Sequence, residues 1–166
     1  IMWLISFLPN FKGKGRFFNI FKIIYLITGD PIVKIKGNLG EIKLDLRSDQ
    51  WVYFCTKNYD SELMKKSFLL LDVDQICIDV GAQIGFWSIG LAQYIKRKKG
   101  MGKIIAFEPH PINFKRLVEN IELSGLQDYI SVHNLALSDT EGSLQLVLRE
   151  DFERGATTGN ASVSSN

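Results

Sequence analysis

The chain has 166 residues, 20 basic and 18 acidic side chains, 46% apolar residues and a formal net charge of +2. That suits one globular domain of ordinary size and excludes a disordered protein. With only Cys55 and Cys77 it is not a disulfide scaffold, and no apolar run approaches the ~20 residues of a transmembrane segment. Residues 1–40 hold six basic side chains against one acid, while the remainder is acidic on balance, so nucleic acid is not the expected partner.

The first stretch, Met2 to Phe11, is apolar and aromatic, with Lys12, Lys14 and Arg16 after it. A secretory signal would put basic residues before the apolar run, so a cytoplasmic location is expected. Phe17 to Tyr25 has the spacing of a helix with a wide apolar face. It would lie on a membrane surface or, better matched by apolar positions that nearly encircle it, pack on its own domain or a sister subunit. This makes the aromatic segment a candidate for self-association. Ile32–Lys36 and Ile42–Leu46 alternate about Gly37-Asn38-Leu39-Gly40, which predicts a β-hairpin. Residues 1–50 therefore read as a helix and β-hairpin extension, and 51–166 as the main domain.

Asp60 or Ser61 can cap a helix reaching about Leu71. Ile76 to Val80 is a short apolar run ending in a glycine turn, as in a buried parallel strand. Helical spacing follows from Gly85 to Ile95, closed by Lys96-Arg97-Lys98-Lys99 where cations favour the helix dipole. Ile104 to Phe107 is a second strand. Pro109 and Pro111 open a helix with Phe114, Leu117, Val118 and Ile121 on one face and Gly125 at its C-cap. A third strand region covers Ile130, Val132 and Leu135 to Leu137; Leu144, Leu146 and Leu148 predict a fourth strand, and Gly155 to Asn166 reads as loop. Strand and helix in alternation form half of a doubly wound α/β sheet.

Asp79-Val80-Gly81-Ala82-Gln83-Ile84-Gly85 joins the first of these strands to its helix, at the sheet end where such folds bind ligands. Gly81 permits a sharp turn and Gly85 a close helix start. The dinucleotide fingerprint requires a middle glycine for close approach of a pyrophosphate; Gln83 stands there and would crowd one. Asp79 opposes an anion and suits an amino group. Glu108, ending the second strand, suits a ribose hydroxyl, each such bond being worth roughly 1.5–3 kcal/mol. A ribose joined to a cationic, phosphate-free group describes S-adenosylmethionine. NAD fits Glu108 equally but fits Asp79 and Gln83 poorly. Alternatively, Asp79 caps the helix and Glu108 is a strand-end acid.

Ile78-Asp79-Val80-Gly81-Ala82-Gln83-Ile84-Gly85, Ala106-Phe107-Glu108-Pro109-His110-Pro111 with Asn113-Phe114, Glu119-Asn120 and Leu123, and Asn134 to Asp139 followed by Gly142 resemble the FkbM-like S-adenosylmethionine-dependent methyltransferases. The likeness covers roughly residues 55–150. It implies a Rossmann-like class I methyltransferase sheet, of which this is the first half. It also implies that Asp79, Gly81, Ala82, Gln83 and Gly85 line the methionine end of S-adenosylmethionine, that Glu108 holds the ribose, and that Leu135 and Ala136, at the end of the third strand, lie beside the adenine. The family usually has Asn where Gln83 stands. Tyr59-Asp60 looks like the family's Tyr-Glu. The family's later Lys-Ile-Asp-Val-Glu-Gly strand does not occur here, so the chain is expected to be a cofactor half, inactive alone, without the last strands and most of the acceptor pocket.

The expected reaction is methyl transfer to a hydroxyl of a small molecule or glycan. His110, beside Glu108, and His133, in or next to a strand, receive no catalytic assignment, and no residue is named as the base. Two histidines and two distant cysteines do not make a metal site. Asn160-Ala161-Ser162 matches a glycosylation acceptor but lacks a secretory context. The competing readings are an NAD-dependent oxidoreductase and a non-catalytic binding half-domain.

Overall fold

The computed structural model describes Ile27, Gly29 and residues 32–37, 40–45, 61–143, 145–148 and 161–164. The predicted helix at Phe17–Tyr25, the Tyr59-Asp60 pair, Cys55 and the hairpin tip at Asn38-Leu39 lie outside the described residues. Among the described residues no helix is long and apolar enough to cross a membrane.

Strands β1 (Ile32–Gly37) and β2 (Gly40–Asp45) pair antiparallel, Gly37 opposite Gly40, as the alternation about the glycines requires. Val33, Ile42 and Leu44 turn inward and join the main core. Helix α1 (Ser61–Leu70) follows, with Met64 buried and Phe68 stacked on Tyr94 at 4.5 Å between ring centroids.

The central sheet has three parallel strands, β3 (Ile76–Val80), β4 (Lys103–Phe107) and β5 (Ile130–His133), in spatial order β3-β4-β5. Helices α2 (Phe86–Arg97) and α3 (Pro111–Ser124) are the crossovers. Ile104 and Ala106 of β4 are fully buried with Ile89, Ala92 and Ile95 of α2 and Leu117 of α3. The other face of β3 carries Ile76, Ile78 and Val80, each more than 60% exposed. Helix α3 ends where the sequence placed its cap, at Gly125 with φ 60°.

Three expectations are corrected. Strand β3 is parallel but not buried: Ile76, Ile78 and Val80 are exposed on a face that no described element covers. The third strand ends at His133, so Leu135 to Leu137 follow it in irregular, exposed chain. The reason is Asn134: its side-chain Nδ2 donates to the carbonyls of Glu108 (2.7 Å) and Pro109 (3.1 Å), so a side chain takes over where ladder bonds stop. In addition, residues 155–166 are not all loop. Ala161–Ser164 is strand β7, paired antiparallel with β6 (Gln145–Leu148) in a separate two-stranded sheet. The predicted fourth strand exists as β6, but its only described partner is β7 and not the parallel sheet.

The hairpin docks on α3. The Lys43 ammonium lies 3.4 Å from Glu119, and the Ser124 hydroxyl donates to the Glu41 carbonyl. Asn120, fully buried, pairs with β2 as a strand edge would: its Oδ1 accepts the Lys43 N–H at 2.6 Å and its Nδ2 donates to the Lys43 carbonyl at 3.3 Å. The same Nδ2 donates to the Ile84 carbonyl at 2.9 Å, which links the hairpin to the glycine turn.

Candidate cofactor site

The turn between β3 and α2 is fixed mainly through its backbone. Gly81 and Ala82 both donate N–H to the Phe107 carbonyl, each at 2.9 Å, holding the turn over the end of β4. Gly81 has φ +81°, and a Cβ there would meet nothing within 4 Å. Glycine is therefore demanded by the backbone angle, while the space beside it is open. Gly85 is needed twice over. Its φ is +95°, and a Cβ would lie 2.7 Å from Leu117 Cδ1. Between them Gln83 also has positive φ, 53°, a conformation that costs a non-glycine residue energy unless its surroundings impose it.

Glu108 supplies that restraint. The residue is buried; its Oε2 accepts the Gln83 N–H at 2.8 Å and its Oε1 accepts the His110 N–H at 2.9 Å. Its own N–H donates to the His133 carbonyl, tying the ends of β4 and β5. An ionised carboxylate offers about four acceptor positions, so these two bonds leave capacity for a diol. His110 is the N-cap of α3. Its Nδ1 accepts the Asn113 N–H at 3.5 Å, and burial holds the imidazole below its ordinary pKa despite the nearby Glu108 charge.

Asp79, the second-to-last residue of β3, accepts a 2.5 Å hydrogen bond from the Ser88 hydroxyl at Oδ2. Gly85, the N-cap of α2, makes no side-chain cap. Asp79 thus ties the first turn of the helix to the end of β3. Burial raises the Asp79 pKa, and hydrogen bonding from Ser88 opposes that rise.

Asp79, Gly81, Ala82, Gln83, Gly85 and Glu108 therefore converge at the carboxyl ends of β3 and β4. Ala82 is buried and contributes through its backbone. Leu135 and Ala136 lie on the exposed stretch after β5, next to Asn134, with Leu135 58% exposed. Sequence reasoning left Ser88, Asn120 and Asn134 without roles in the site. The signal for the first two was a small polar residue at an inward helical position: Ser88 beside Ile89, and Asn120 three residues after Leu117 and one before Ile121.

A parallel Rossmann-like sheet with a glycine turn and two acids at adjacent strand ends is an arrangement of nucleotide- and nucleoside-binding folds. Residues 79–166 match the methyltransferase FkbM domain, and the chain belongs to that family. Over 69 residues it is 39% identical to the tRNA(Phe) (4-demethylwyosine(37)-C(7)) aminocarboxypropyltransferase of Pyrococcus horikoshii, covering 42% of this chain and 23% of that protein. Over 109 residues it is 27% identical to methyltransferase sdnD of Sordaria araneosa, covering 61% of this chain and 40% of that one. The crystal structure of P. horikoshii TYW2 in complex with MeSAdo superposes with a TM-score of 0.53 at 28% identity, covering 69% of this chain and 39% of that chain. The chain thus spans well under half the length of these relatives.

Proposed function

We propose that the chain is the cofactor-binding part of an S-adenosylmethionine-dependent methyltransferase acting on a hydroxyl of a small molecule or glycan. The observation that carries this reading is the convergence of Asp79 and Glu108 about a glycine turn with open space beside Gly81. In this reading Asp79 receives the amino group of the methionine end, and Glu108 receives the ribose diol on the acceptor capacity left by its two amide bonds. Gly81 gives the ligand room, and Ala82, Gln83 and Gly85 shape the wall that faces it. Leu135 and Ala136 flank the adenine. S-adenosylmethionine supplies the activated methyl group; the protein's task is orientation and electrostatics. Family membership and the methyltransferase relative support the cofactor and the reaction class.

A second reading has its own observation. The 39% identical relative is by its name an aminocarboxypropyltransferase acting on tRNA(Phe). The same cofactor would then give up a different substituent, to a nucleic-acid acceptor. The two readings differ in their by-product: methyl transfer leaves S-adenosylhomocysteine, whereas aminocarboxypropyl transfer leaves methylthioadenosine. Incubating the complete protein with labelled S-adenosylmethionine and candidate acceptors, followed by chromatography of the nucleoside product, decides between them. S-adenosylhomocysteine with a small-molecule or glycan acceptor is the expected result. Methylthioadenosine formed only with tRNA would replace it with the second reading.

A further inference from the structure

We propose that Ser88 is a positioning residue for the cofactor site: its hydroxyl holds one oxygen of Asp79 so that the other is turned toward the ligand's amino group. The inference rests on the cofactor reading above and adds a residue to it. Ser88 is the third residue of α2 and is fully buried. Its hydroxyl donates to Asp79 Oδ2 at 2.5 Å. A short bond from a buried donor held in a helix restricts the rotation of the carboxylate about its last torsion, which is otherwise broad. Gly85 makes no side-chain cap on α2, and the Ser88 hydroxyl joins the first turn of that helix to the end of β3.

Hydrogen bonding from Ser88 favours the ionised form of Asp79 against the burial that opposes it. An amino group binds the ionised form, so losing the hydroxyl should weaken binding and raise the pH below which binding fails. Other groups on this face do not take over the role. Cys77, two residues earlier on β3, is kept a neutral thiol by burial, which raises its pKa. Ala106 lies opposite Asp79 on β4, and beyond it the Glu108 carboxylate is engaged by the Gln83 and His110 amides. The cations of α2, Lys96 and Arg97, are at its far end.

The test is calorimetric titration of the full chain with S-adenosylmethionine between about pH 5 and 8, with melting temperatures recorded for each variant. Ser88→Ala should bind roughly tenfold more weakly at neutral pH, the scale of one hydrogen bond to a charged group, and its acid limb should move to higher pH. In an Asp79→Asn background the same change should alter affinity less than about twofold, since the residue acts through that carboxylate. Ser88→Thr and Ser88→Val, matched in shape, guard against a folding artefact: the first should retain most of the affinity and the second should lose it. Unchanged affinity and pH profile in Ser88→Ala, an equal loss in the Asp79→Asn background, or identical behaviour of the Thr and Val variants would overturn the proposal. Failure of the wild-type chain itself to bind would instead overturn the cofactor reading, and the proposal with it.

Discussion

The ends of β3 and β5 lie on one sheet, two strands apart, and are built in opposite ways. After β3 the chain turns through three residues of positive φ, and that turn is tied to β4 by backbone bonds to Phe107, to Glu108 by the Gln83 amide and to α3 by Asn120. After β5 the chain leaves the sheet at Asn134, whose side chain anchors it to the Glu108 and Pro109 carbonyls, and Leu135 to Leu137 run on exposed. The half of the site proposed for the methionine and ribose is thus preorganised by the fold, whereas the half proposed for the adenine contributes exposed apolar side chains. Preorganised contacts carry binding energy efficiently because their ordering cost is met on folding. Substitutions at the two strand ends should therefore differ sharply in effect.

The largest effect is expected from Glu108→Ala, which strips a buried acceptor from two backbone amides at once. At the scale of hydrogen bonds to charged groups the loss is roughly 3–5 kcal/mol of stability, measurable by urea denaturation, and cofactor binding should go with it. Gly85→Ala comes next. A left-handed backbone angle and a 2.7 Å approach to Leu117 together should cost about 2–4 kcal/mol. A loss under 1 kcal/mol would mean that the turn is softer than described.

Asp79→Asn separates binding from stability. Burial is the larger influence on Asp79, so its folded pKa lies above the ordinary 3.8. A carboxyl raised in this way contributes stability below the unfolded value and loses it as pH rises through the folded value. At neutral pH the charge therefore works against folding. Asp79→Asn should melt at or above the wild-type temperature at pH 7, and that margin should shrink as pH falls toward 3.8 while ligand affinity stays lower at neutral pH. The smallest effect is expected at Leu135, which is 58% exposed: Leu135→Ala should change stability by less than about 0.5 kcal/mol.

Much of this contrast could be read in the chain. The strands β3 and β4 and the helices α2 and α3 were legible because their apolar spacing and their caps agree, down to Pro111 at the start of α3 and Gly125 at its end. The glycine turn was legible because Gly81 and Gly85 do what no other residue does at those angles. The end of β5 was not. Leu135 to Leu137 are as apolar as a strand, and only the reach of Asn134 across to β4 reveals that the ladder has stopped. Nor was β7, because Ala-Ser-Val-Ser carries little apolar pattern and its pairing depends on β6, some dozen residues away. The role of the Asp79 side chain toward α2 was also not legible. The carboxylate accepts the Ser88 hydroxyl from the first turn of α2 and stands at the end of β3. A bond between residues nine positions apart on different elements leaves no periodic trace.

The most direct test of the account is calorimetric titration of S-adenosylmethionine into the full chain, with Glu108→Gln and Leu135→Ala measured beside it. Glu108→Gln keeps the side-chain shape but has one oxygen for two amides and a ribose. The account predicts saturable one-to-one binding by the wild type, strongly weakened binding by Glu108→Gln and near-normal binding by Leu135→Ala. Wild-type affinity in Glu108→Gln, or no binding by the wild-type chain, would contradict it.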